Sequence, residues 1–164
     1  MAKRKPSQGA KKTETLTLRL DPKAKFTIDL LARIRRQSIT AVIEAAIDEI
    51  AYDQDVKFNE DGKNATWSLG SAITEIWSTD EAERFINLCY FMPDLLTHEE
   101  LRIWETITSS ECFYADSATR NPTHWKLMGV SIDVTRLRAY WDYLLEHMVE
   151  NSDSRTVVPF EPPF

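Results

Sequence analysis

Residues 14–20 (Glu14-Thr15-Leu16-Thr17-Leu18-Arg19-Leu20) alternate polar and apolar side chains without a break. A period of two belongs to a β-strand with one face buried. Leu16, Leu18 and Leu20 then share one face, and Thr15, Thr17 and Arg19 the other. A lone strand of this kind is not stable, and even a two-stranded ribbon needs helices behind it. One short strand per chain is therefore expected to pair with its copy in a second chain.

Two amphipathic helices are predicted directly after it. Asp21-Pro22 ends the strand and suits a helix start, with Asp21 as N-cap and Pro22 in the first turn. Over residues 23–37, Phe26, Leu30 and Ile34 recur every four positions and Leu31 widens the stripe. Arg33, Arg35 and Arg36 fall in the last turn, where cations suit the helix dipole. Ser38 is expected to cap a second helix over residues 39–52, with Val42, Ile43, Ala46, Ile47 and Ile50 on one face. Two antiparallel copies of the strand with these helices behind them would share one core. Its expected members are Leu16, Leu18, Leu20, Phe26, Leu30, Ile34, Val42, Ile43 and Ile47.

The outward face of such a ribbon presents Thr15, Thr17 and Arg19 from both chains. A two-stranded ribbon fits the DNA major groove, where Arg reads guanine and Thr bonds base edges or touches the thymine methyl. Unpaired backbone N–H groups at Ser38, Ile39 and Thr40 would meet a phosphate on each side.

Charge is distributed to match. Residues 1–36 hold eleven Lys/Arg against three acids, a net +8, while residues 37–164 hold nine against twenty-three, a net −14. The overall −6 hides this split, and a polyanion responds to the local patch facing it. Residues 1–13 have no periodic apolar residues and read as a flexible basic arm, with Lys11 and Lys12 expected on phosphates.

The run Thr15-Leu16-Thr17-Leu18-Arg19-Leu20-Asp21, the first helix, and Ser38-Ile39-Thr40-Ala41-Val42-Ile43-Glu44-Ala45-Ala46-Ile47 together resemble the ribbon-helix-helix repressors of the MetJ/Arc type. The resemblance covers residues 14–52. It implies an obligate intertwined dimer, a ribbon in the major groove and second-helix N-termini clamped on phosphates. Arg36 stands where the family often has Gly, and Gln37 where an apolar residue is usual.

Beyond residue 52 the composition changes. Of seventeen aromatic residues only Phe26 precedes Tyr52, and all five Trp follow residue 66. Residues 53–66 are polar and read as a linker in which Asp61-Gly62 could turn a short hairpin. Residues 67–150 are expected to form an acidic, aromatic-rich helical domain. Capping boxes at Ser78-Thr79-Asp80-Glu81 and Thr97-His98-Glu99-Glu100 start two of its helices, and a long helix covers residues 132–150. Residues 151–164 form a Pro-rich tail, either flexible or strapped onto a surface.

Several classes find no support. The longest apolar run, Leu88-Cys89-Tyr90-Phe91-Met92, is far shorter than the ~20 residues that span a bilayer, and no secretory signal is read. Cys89 and Cys112 make no disulfide framework, so a reducing cytoplasm is expected. His98, His124 and His147 are isolated, no Cys/His/Asp/Glu group has metal-ligand spacing, and four Gly leave no phosphate loop. No catalytic residue, metal or cofactor is expected.

The sequence thus predicts a mainly α fold: an N-terminal ribbon-helix-helix dimer followed by a helical C-terminal domain. The expected function is sequence-specific binding of double-stranded DNA and transcriptional repression, in the cytoplasm of a prokaryote or in a phage or plasmid context. The alternatives are an autoregulating antitoxin and a plasmid or phage accessory protein for DNA partition or transfer. The expected partners are DNA, a second copy of the chain, and a protein or small molecule on the acidic domain, with no membrane.

Overall fold

Asp21 opens the first helix as its sequence demands. Its carboxylate accepts the Lys23 and Ala24 N–H groups at 2.9 and 3.0 Å, and Pro22, whose missing N–H costs nothing there, is the first residue of α1 (Pro22–Arg35). The structure is a computed structural model and describes residues 17–60, 62–115, 124–127 and 130–163. α1 ends at Arg36, which adopts φ 52° and ψ 43°. The Gln37 N–H reaches back to the Ala32 carbonyl at 3.0 Å, closing the last turn. That left-handed conformation is where glycine is at ease and a side chain costs about 1 kcal/mol. Ser38 then caps α2 (Ile39–Asp53), its hydroxyl accepting the Ala41 N–H at 3.1 Å.

The chain is mainly helical and divides into two compact units between Ala46 and Ile47, inside α2. Residues 53–66, expected as a linker, fall within the second unit. The last turn of α2 belongs to the second unit because a Cβ at Gly70 would lie only 2.8 Å from the Tyr52 ring, and the Leu69 N–H donates to the Gln54 carbonyl at 2.7 Å.

The expected linker is a hairpin. β1 (Asp55–Glu60) and β2 (Lys63–Ser68) pair antiparallel with Glu60 opposite Lys63. The two-residue loop carries Gly62 at φ 82°, the geometry an Asp-Gly hairpin turn needs. Val56 and Phe58 alternate on one strand, Ala65 and Trp67 on the other. Phe58 is buried and stacks on Trp67 at 4.2 Å and on Phe91 at 4.6 Å. Together with Ala72, Ile76 and Met92 it forms a small core. Ala72 and Ile76 come from α3 (Leu69–Ile76), capped by Ser68 and not anticipated from the sequence.

The main core lies among α4 (Glu81–Phe91), α5 (His98–Ser109) and α6 (Val134–Glu150). Phe85, Ile86 and Cys89 meet Trp104, Ile107, Leu137 and Leu144 there. The Thr97 capping box forms as predicted: the Thr97 hydroxyl accepts the Glu100 N–H, and the Glu100 carboxylate accepts the Thr97 N–H. The box expected at Ser78 does not. Asp80 is the cap of α4, accepting the Glu83 N–H at 2.8 Å, while the Ser78 hydroxyl donates to the Glu83 carboxylate. The C-terminal domain is not purely helical. A second hairpin, β3 (His124–Leu127) with β4 (Val130–Asp133), precedes α6, so the long helix begins at Val134 and not at residue 132.

The Pro-rich tail packs as a strap. Phe160 is buried, 5.4 Å from Phe113 and edge-on to His147 at 5.6 Å. Its N–H donates to the buried Ser110 hydroxyl at 2.8 Å, and its carbonyl accepts from the Cys112 thiol at 3.6 Å.

Phe160→Ala should lower the stability of the second unit by about 3–5 kcal/mol, read as a lower urea midpoint of tryptophan fluorescence, since every Trp lies in that unit. Arg36→Gly should raise the stability of the first unit by about 1 kcal/mol, read by far-UV circular dichroism in the same titration.

Candidate nucleic-acid interface

Thr17, Leu18, Arg19 and Leu20 precede α1 and belong to no strand of the single chain, and all four are exposed. They form no ladder within the chain among the described residues. Thr15, Leu16, Lys11, Lys12 and the basic arm lie outside the described residues.

The helices behind this segment show the same exposure. Ile34 is 77% exposed and Phe26 63%, and Leu18, Leu20, Leu30 and Ile47 are exposed as well. Of the expected core residues that are described, Val42 is buried and Ile43 half-buried. Leu31, Ile39 and Ile50 extend the exposed apolar set. Soluble single chains rarely leave so large an apolar surface to water.

Six cations lie on the same stretch of chain. Arg19, Lys23, Lys25, Arg33, Arg35 and Arg36 are all exposed, and none makes an ion pair among the described residues. Asp21, the nearest acid in sequence to Arg19, is occupied as a helix cap. At the start of α2, Ser38, Ile39 and Thr40 are exposed. The Ser38 hydroxyl takes the Ala41 N–H and its carbonyl takes the Val42 N–H. The N–H groups of Ser38, Ile39 and Thr40 have no acceptor among the described residues, which is the usual state of a helix's first donors. A phosphate oxygen there would gain both these donors and the positive end of the helix dipole.

The second unit has different electrostatics. Arg138 of α6 pairs with Asp80 at 3.2 Å and Glu83 at 2.6 Å. Burial opposes its charge, but the two carboxylates hold its pKa above the usual arginine value. Arg84 lies over the Trp77 ring at 5.0 Å. Burial, with the Glu100 charge second, pushes the Cys89 thiol up to about 12, and burial raises Cys112 as well. Neither thiol is held as a thiolate at neutral pH. No helix among the described residues is long and apolar enough to cross a membrane. The chain matches no protein-family profile, no curated protein and no solved structure.

If two chains share this apolar face as the sequence predicts, Leu18→Glu should reduce the mass seen by light scattering from twice the 19.0 kDa of one chain to a single chain, because a charge would enter that face. The tryptophan melting transition, which reports the second unit alone, should not move.

Proposed function

We propose that the protein is a homodimeric, sequence-specific DNA-binding regulator. Residues 14–20 of two chains pair into a ribbon, and α1 and α2 of both chains cover its apolar face. Thr15, Thr17 and Arg19 read base edges from the opposite face. Ser38, Ile39 and Thr40 anchor phosphates through backbone N–H groups, and Lys11 and Lys12 add charge.

The observation that carries this reading is the exposure of Leu18, Leu20, Phe26, Leu30 and Ile34 in the single chain. An edge strand with a water-facing apolar side is a template for pairing. A second copy supplies both the missing ladder partner and the missing apolar cover. In that ribbon Thr17 and Arg19 take the opposite side of the pleat, on a stretch of chain whose cations make no ion pair among the described residues.

The second unit has its own apolar core and its own strap. A segment that folds only on meeting a toxin would not, which favours a regulator over an antitoxin. Its net negative charge keeps it off DNA. Repression by occupying a promoter is the function this arrangement serves most directly.

Selection from a random DNA library with the full-length protein should return a short motif recurring as repeated half-sites. Failure to enrich any motif removes the reading. On the selected site Arg19→Ala should weaken binding by about 1–3 kcal/mol and relax one base position. An equal loss on random DNA would take Arg19 out of base readout. Deleting residues 1–12 should weaken binding to all sequences and flatten its salt dependence, since fewer counterions are released.

A further inference from the structure

The second unit, residues 47–164, holds nine Lys/Arg against twenty-two acids, so an arginine without a carboxylate is conspicuous in it. Two of them line one polar cleft of about 320 Å³, formed by α5, the end of α6 and the residues leading into the strap. Arg102, on α5, spans to the end of α6. Its Nη1 donates to the Ser152 carbonyl at 3.2 Å and its Nη2 to the Asn151 carbonyl at 3.0 Å. These bonds fix the guanidinium without neutralising it, and each nitrogen keeps a second N–H. Arg155 is exposed and has no hydrogen-bond or ion-pair partner among the described residues. Glu105 lines the same cleft but pairs with neither arginine. The hydroxyls of Ser152 and Thr156 also lack partners among the described residues. His147 holds the far wall, its Nε2 bonded to the Val158 carbonyl at 2.9 Å.

We propose that this cleft binds a small organic anion, whose phosphate or carboxylate oxygens are gripped by Arg102 and Arg155 with the Ser152 and Thr156 hydroxyls. A fixed guanidinium presents paired N–H groups at the spacing of two oxyanion oxygens, and its order is already established before the ligand arrives. The cleft holds a molecule the size of a phosphate monoester or a dicarboxylate. Its walls come from two helices and the strap, so an occupant cross-links three segments of the second unit. The inference does not depend on DNA binding.

The test is thermal melting of the full-length protein, followed by tryptophan fluorescence, which reports this unit and not the basic N-terminus. The probes are inorganic phosphate, succinate and, as a neutral control, glycerol. A saturable rise in melting temperature is expected with phosphate or succinate and none with glycerol; whichever anion acts identifies the head group. Arg155→Ala removes an exposed side chain that supports nothing else, so its unliganded melting temperature should match wild type. Its apparent affinity for the active probe should fall about tenfold or more. Glu105→Gln should bind more tightly, because it removes the opposing charge. No saturable shift with either anion overturns the proposal. So does an Arg155→Ala protein that responds like wild type, which would assign the effect to lysines and arginines elsewhere.

Discussion

An extended segment has backbone donors and acceptors on both edges, and here it also has one apolar face. Both must be satisfied, and among the described residues neither is. The apolar side chains of α1 extend the same deficit: Phe26, Leu30 and Ile34 lie on one stripe and all are exposed. Water solvates the backbone edges readily but not a continuous apolar surface. The proposed second copy would answer both needs at once, because a strand with a period of two can pair with itself antiparallel and bring its own helices along. The proposed DNA-reading surface is the consequence. Once Leu18 and Leu20 turn inward, Thr17 and Arg19 have only the outside left.

The second unit answers the same physical demand within one chain. Its core is completed from far along the sequence by Phe160, which seats against Phe113 and is tied to Ser110 by a backbone bond. The Pro-rich composition of the strap helps, since an extended chain with fewer amides has less to satisfy as it crosses a helical surface. The two units also divide the electrostatics. The first leaves six described cations unpaired. The second pairs Lys57, Arg136 and Arg138 with carboxylates, and leaves Arg102 and Arg155 without one at a single cleft.

Local signals were legible wherever one or two residues decide the outcome. Asp21 and Pro22 start α1, Ser38 starts α2, and Thr97 with Glu100 closes a capping box, all by bonds spanning three residues or fewer. The Ser78 box failed for an equally local reason. Asp80, two residues on, is a competing cap, and its carboxylate reached the Glu83 amide first. Asp61-Gly62 between alternating Val56/Phe58 and Ala65/Trp67 marked the first hairpin, although the polarity of the segment suggested a linker. The eight residues of α3 are too short for a helical period to stand out. They are helical because Ala72 and Ile76 are buried against the hairpin.

Helical period, capping chemistry and the charge split are properties of neighbouring residues, and the sequence alone determined them: the starts of α1 and α2 and the basic character of that end. Tertiary structure alone decided which apolar residues find cover inside the chain and which do not. It also decided that the unit boundary falls within α2, that the tail becomes a strap, and that Arg102 and Arg155, fifty-three residues apart in sequence, share a cleft. Burial and charge pairing depend on which distant segments meet, and no local pattern carries that information.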